Sequence, residues 1–149
     1  MSGGRVLGVD LGSRRIGVAV SDATGTLASP LTVIERTGDR NADYRALAEI
    51  ARDEAAERMI VGLPLSLSGD VGPAAEAAIK EVEAMAAVVG LPVETYDERF
   101  TTVEADRSMR ESNVPARARR RDIDKVAAAV MLQSWLEGRA SATRRGAQQ

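Results

Sequence analysis

Residues 5–22 read RVLGVDLGSRRIGVAVSD, and the fold turns on how this stretch is parsed. Val6, Leu7, Val9 and Leu11 form one apolar run, and Ile16, Val18, Ala19 and Val20 form a second. Gly12-Ser13-Arg14-Arg15 separates them, so the pattern predicts two adjacent strands joined by a tight hairpin. Runs that are apolar on both faces belong to strands buried in the middle of a sheet. Asp10 is set into the first of them, between Val9 and Leu11. A charge at such a position is costly unless it is paired or binds a cation. On these residues alone, Asp10 reads equally well as a cation ligand and as a turn-capping carboxylate on which the strand ends.

Outward from the hairpin, the chain alternates. Leu27 to Glu35 reads as a third strand, with Pro30 favouring an edge position. Tyr44, Leu47, Ala48, Ile50 and Ala51 recur at helical spacing and predict a helix over 42–57. A short buried strand follows at Met59 to Leu63, then a Ser- and Gly-rich loop to Gly72. Pro73 opens a second helix at its favoured first turn, and Gly90 stops it, giving 73–89. Pro92 to Tyr96 forms a fifth strand. A helix over 102–111, an Arg-rich loop over 112–121 and a last helix over 122–138 complete the order. Residues 140–149 are small and polar and are expected to be a disordered tail. Three leading strands followed by alternating helix and strand predict one α/β domain over 1–139, a mixed five-stranded sheet flanked by helices.

Composition narrows the chemistry. The 149 residues contain no cysteine and no histidine, which removes disulfides, thiolate nucleophiles, imidazole bases and zinc sites of the usual type. Carboxylates are left as the acid-base and metal-binding groups. The net charge of −2 gives no global basic field. No apolar run approaches the ~20 residues needed to cross a bilayer, and no signal pattern opens the chain. A cytoplasmic protein without a membrane partner is therefore expected.

Three acids break their surroundings. Asp10 lies inside a strand. Glu98 follows the carboxyl end of the fifth strand, where open α/β sheets place their ligand sites. Asp124 lies in the first turn of the last helix, bordering the apolar stripe that runs through Ala128, Met131 and Trp135. Singly, each has an ordinary structural reading, since the helix dipole tolerates an acid at Asp124 and a loop tolerates Glu98. Brought together, three carboxylates would repel one another unless a cation joined them. An all-oxygen ligand set favours Mg²⁺ or Mn²⁺. A pair of such ions about 4 Å apart suits phosphodiester hydrolysis.

The basic residues fit a phosphate-rich partner. Between Arg99 and Arg121 stand seven arginines (99, 107, 110, 117, 119, 120 and 121) against three acids. Arg14 and Arg15 lie in the hairpin turn, close after Asp10. Arginine forks grip phosphate oxygens bidentately, and such contacts hold the backbone without reading bases.

Four stretches together carry a family resemblance: GVDLGSRRIGVAVSD (8–22), IVGLPLSLSGDVGPAAE (60–76), DERFTTVEAD (97–106) and DIDKVAAAVMLQSWL (122–136). In this order they resemble the YqgF/RuvX proteins, RNase H-like proteins described as Holliday-junction resolvases or pre-16S rRNA processing nucleases. The resemblance implies an RNase H-like fold with Asp10, Glu98 and Asp124 as an acidic, metal-binding catalytic triad. It also implies substrate-contacting positions at Arg15, Ser21, Arg99, Thr101 and Thr102. Phe100 and Ser66 depart from the family pattern, where Leu and Asn are usual. The expected function is a metal-dependent endonuclease trimming the 5′ end of pre-16S rRNA. The alternative is a resolvase of four-way DNA junctions, which should act as a homodimer, with the Ala-rich helix 73–89 as a candidate interface. A weaker alternative is a non-catalytic nucleic-acid-binding protein. Arg14, Arg117, Arg119, Arg120 and Arg121 join the expected phosphate contacts on charge alone.

Overall fold

The computed structural model describes residues 4–63, 72–98 and 123–147, with the side chains of 125–139 in the last of these. Arg5–Leu11 (β1) and Arg15–Ser21 (β2) form the hairpin, antiparallel, with Leu7 opposite Val20 and Asp10 opposite Gly17. Ala28–Glu35 (β3) pairs antiparallel with β2. Its register shifts between Val18 and Ala19, where Pro30 faces Ala19, since proline has no N–H to give the ladder. Ala56–Leu63 (β4) and Val93–Asp97 (β5) extend the other side in parallel, so the strand order is β3-β2-β1-β4-β5. β1 lies at the centre, as its two-sided apolarity requires.

Among the described residues three helices cover the sheet: Arg40–Asp53 (α1), Pro73–Val89 (α2) and Ile123–Ala147 (α3). Alternate residues of β1 point to opposite faces. Leu7 and Val9 pack with Tyr44 and Leu47 of α1 and with Val82 and Met85 of α2. Val6 packs on the other face with Ala129, Leu132 and Leu136 of α3. Gly8 lets α3 come close: a Cβ there would lie 2.8 Å from Leu132 Cβ and 3.1 Å from the Ala128 carbonyl. Arg139, two turns beyond Leu132, lines a small recess with Gly4 and Val6, so α3 runs antiparallel to β1. The first turn of α3 is thereby set at the carboxyl end of β1. Side-chain bonds fasten α3 across the whole sheet. Gln133 accepts from Ala28 N (2.8 Å) and donates to the Thr26 carbonyl (3.1 Å). Trp135 donates to Glu94 (2.6 Å), and the Tyr96 and Ser134 hydroxyls are 2.8 Å apart.

Several boundaries differ from the expected ones. The first helix covers Arg40–Asp53 and not 42–57, because Ala55 turns the chain at φ 54° and β4 starts at Ala56 against Arg5. The Asp39 side chain caps its start by accepting from Ala42 N. The helix expected over 73–89 is observed as such, and Gly90 ends it with φ 76°, a left-handed conformation that glycine adopts without strain. The last helix runs on past Gly138 to Ala147, so residues 140–147 are helical where a disordered tail was expected. One internal glycine costs only about 1 kcal/mol, and the alanines and arginines after it favour helix. The helix expected over 102–111 and the loop over 112–121 lie outside the described residues. Among the described residues no helix is long and apolar enough to cross a membrane.

Candidate active site

Asp10 shares its parity with Val6 and Gly8, so it belongs to the sheet face that α3 covers. Its partner across the β1–β2 ladder is Gly17. On the β4 side, Gly8 pairs with Ile60 and Val9 with Val61, and the next step of that register sets Asp10 beside Gly62. Ile60 packs in the α3-facing core, which puts Gly62 on the same face as Asp10. Asp10 is therefore flanked on both neighbouring strands by residues without side chains. The sequence offered no direct sign of this, because strand register is a property of the pairing and not of either strand.

Glu98 follows β5, and its carboxylate lies over Gly62. A Cβ on Gly62 would come within 2.8 Å of Glu98 Oε1 and 3.0 Å of its Cγ. The glycine makes a cradle for that carboxylate, one strand over from Asp10. Burial, and then the neighbouring charge of Asp97, raise the Glu98 carboxyl above its ordinary range. A cation between Asp10 and Glu98 would reverse this shift. The backbone of Asp124 sits in the first turn of α3, at the same end of the same face, and its side chain lies outside those described. Among the described residues no third His, Cys, Asp or Glu completes a three-ligand group with this pair.

A cleft of about 1010 Å³ opens at this end of the sheet. Asp10, Glu98 and Gly62 line one part of it, and the hairpin tip (Gly12 to Arg14), Arg36, Arg40 and the α2 residues Ala74, Ala77, Lys80 and Glu81 line the rest.

A model of the family described as "RuvX: Holliday junction resolvase" matches residues 4–138. The chain belongs to the RuvX family. A protein of Mycobacterium sp. (strain KMS) named "Putative pre-16S rRNA nuclease" is 45% identical over 140 residues, covering 93% of this chain and 83% of its own. A protein of the same name from Anaeromyxobacter dehalogenans (strain 2CP-C) is 45% identical over 136 residues, covering 91% and 98%. Among solved structures, T. thermophilus RuvC in complex with a Holliday junction substrate superposes with a TM-score of 0.56 at 16% identity, covering 91% of this chain and 95% of that one. The fowlpox virus Holliday junction resolvase gives 0.53 at 11% identity, covering 90% and 99%. At these identities the structural likeness is one of fold, and the fold is RNase H-like, as the motif resemblance implied. Family membership makes the chain a hydrolytic nuclease.

In the wall of the cleft of this RuvX-family chain lies a largely buried polar network that sequence reading did not find. The Arg36 guanidinium forks onto Glu81, with distances of 2.6 Å and 3.1 Å, and the Tyr44 hydroxyl donates to Glu81 Oε2 at 2.7 Å. Arg36 Nε also donates to the Gly12 carbonyl at 2.8 Å, and its backbone N–H to the Arg14 carbonyl at 2.9 Å. Arg36 thus ties α2 to the hairpin tip just past Asp10, and Glu81 extends the tie to α1 through Tyr44. Burial pushes the Tyr44 hydroxyl up to about 12, aided by Glu81, so it stays a donor at neutral pH. Burial alone would raise Glu81, but the hydrogen bonds from Arg36 and Tyr44 outweigh it and hold the carboxyl below its ordinary range. A clue lay in Tyr44 and Glu81, polar groups on the core-facing stripes of their helices, but partners so far apart in sequence are not legible from spacing.

The remaining predicted contacts are scattered. Arg14 is exposed at the hairpin tip and lines the cleft. Arg15 opens β2, and its Nε bonds Glu35 Oε1 at 3.0 Å in an exposed pair. Ser21 is not brought to the cleft. It is 2% exposed at the opposite end of β2, where its Oγ accepts from Val6 N (2.9 Å) and donates to the Asp22 carbonyl (3.0 Å). Its hydroxyl closes the hairpin's open end, so its place in the family motif is structural here. Arg99, Thr101, Thr102, Arg117, Arg119, Arg120 and Arg121 lie outside the described residues.

Gly62→Ala isolates the Glu98 cradle. The displaced atoms are the far end of a flexible side chain, so the unfolding midpoint should move little. If Glu98 holds a cation, moving its carboxylate should lower Mn²⁺ affinity roughly 10–100-fold, the usual cost of disturbing a ligand's support. Calorimetric Mn²⁺ titration beside thermal melting checks both halves.

Proposed function

We propose that this protein is a divalent-metal-dependent endonuclease whose substrate is the precursor of 16S rRNA. The observation that carries the reading is that Asp10 and Glu98 line one cleft, with glycines, Gly17 and Gly62, beside them on the sheet face. Asp10, Glu98 and Asp124 would hold the cation; their oxygen-only donor set and the raised Glu98 carboxyl fit Mg²⁺ or Mn²⁺. Bound there, such an ion supplies a water of lowered pKa and neutralises charge developing on the phosphate. The chain's own part is positional. Asp10 is held rigidly by its place in the central strand, while Glu98 rests on its glycine cradle. Arg14 of the hairpin tip grips a flanking phosphate. Arg15, Arg99, Thr101, Thr102 and Arg117, Arg119, Arg120 and Arg121 are proposed to contact the substrate as well.

The rRNA substrate rests on the names of relatives 45% identical to this chain. A second reading, cleavage of four-way DNA junctions by a homodimer, is favoured by the description of the family itself. Labelled pre-16S rRNA and a labelled junction, each incubated with Mn²⁺ and with chelator, test both. Metal-dependent cleavage of the rRNA alone is expected. Cleavage of the junction in symmetrically related strands would favour the second reading, and binding of both without cleavage would leave a non-catalytic protein.

A further inference from the structure

The cleft is larger than one reacting phosphodiester requires, and beyond Arg14 its far wall carries two further cations, Arg40 and Lys80, to which the acid site gives no role. Arg14 of the hairpin tip, Arg40 of α1 and Lys80 of α2 line it and are all exposed. Among the described residues none of the three side chains makes a hydrogen bond or ion pair. The acids of the same wall are committed elsewhere. Glu81 is held by Arg36 and Tyr44, Glu35 by Arg15, and Asp43 accepts from the Thr37 backbone N–H (3.2 Å) and hydroxyl (2.9 Å). Arg40 is also misplaced for local stability. It is the first residue of α1, where the helix dipole disfavours a positive charge. Between these cations α2 presents Ala74, Ala77 and Ala78, small side chains that leave room for a polymer backbone.

We infer that the α1–α2 wall is a second phosphate subsite, in which Arg14, Arg40 and Lys80 hold the nucleic-acid backbone on one side of the cleaved bond. The inference rests on the nuclease reading and extends it: the strand runs from the Asp10–Glu98 pair across the hairpin tip toward Lys80. Contacts of this kind bind phosphate and are indifferent to base, so they serve RNA and branched DNA alike. They anchor the substrate so that the acid pair meets a defined bond.

The test is the salt dependence of binding, measured by fluorescence anisotropy on the Asp10→Asn chain with labelled pre-16S rRNA and a labelled four-way junction. Adding Arg40→Gln and Lys80→Gln should weaken binding by at least roughly tenfold. It should also flatten the slope of log affinity against log salt by about 1 for each residue. Arg45→Gln with Arg52→Gln removes the same charge from α1 residues outside the cleft and should leave the slope unchanged. An unaltered slope in the Arg40/Lys80 variant, or an equal fall in the control, overturns the subsite. Metal-dependent cleavage by the wild-type chain, assayed in parallel, separates the two levels. If it cleaves while the slopes coincide, the subsite alone falls; if it binds neither substrate, both readings fall.

Discussion

Asp10→Asn should lower cleavage by about a thousandfold or more while leaving nucleic-acid binding intact or tighter. Asparagine keeps the shape of aspartate, so the central strand and its ladder to Gly17 should be undisturbed. What is lost is the charge that would hold the cation. An ion stabilising a phosphoryl transition state contributes several kcal/mol, and each ~1.4 kcal/mol is a factor of ten in rate. Neighbouring strands offer no replacement, because the flanking residues on that face are glycines. Binding should survive, since removing a negative charge beside the phosphate path relieves repulsion. Single-turnover cleavage with Mn²⁺ and anisotropy on the same preparation decide the matter. A variant that cuts at the wild-type rate would remove Asp10 from the mechanism.

Glu81→Ala is the second large effect, and it falls on stability. Glu81 is 8% exposed and accepts three hydrogen bonds, two from Arg36 and one from Tyr44. Deleting it strands a mostly buried guanidinium and the hydroxyl of a tyrosine only 1% exposed. Breaking a buried pair from one side costs about 3–5 kcal/mol. Urea unfolding at pH 7 measures it, and a loss under about 1 kcal/mol would show that the network contributes little. Glu81→Gln, which keeps an acceptor, should lose less.

The pH dependence has a definite sign. The folded protein holds Glu81 below its ordinary value of 4.5, so the unfolded chain takes up the proton first as pH falls. The stabilisation from this group is complete above that value and disappears as pH drops through the lower folded one. The gap between wild type and Glu81→Ala should therefore be constant near neutrality and narrow below about pH 4.5. Arg36 also holds the Gly12 carbonyl, so the same substitution should loosen the hairpin tip that carries Arg14.

Particular residues show which features are local and which are not. Helix α2 was readable to the residue because Pro73 and Gly90 act through their own backbone geometry. Asp10 stood out because a carboxylate inside a two-sided apolar run is anomalous wherever the strand goes. Glu98 stood out because it follows a strand end. By contrast, Ser21 belongs to the same motif as Asp10, yet the antiparallel turn carries it to the opposite end of the sheet. Arg40 and Lys80 carry no sequence signal at all; only the meeting of α1 and α2 at one cleft gives them a common role.

The sequence by itself determined the order of the described strands and helices, the acids available for metal chemistry and the absence of any sulfur or imidazole alternative. Those follow from periodicity, caps and composition, which act within a few residues. The tertiary structure decided that glycines flank Asp10 and cradle Glu98, that Glu81 holds Arg36 and Tyr44 behind the hairpin, and that Ser21 is a structural hydroxyl. Each of these depends on strand register or on partners tens of residues apart, and neither is encoded in any single segment.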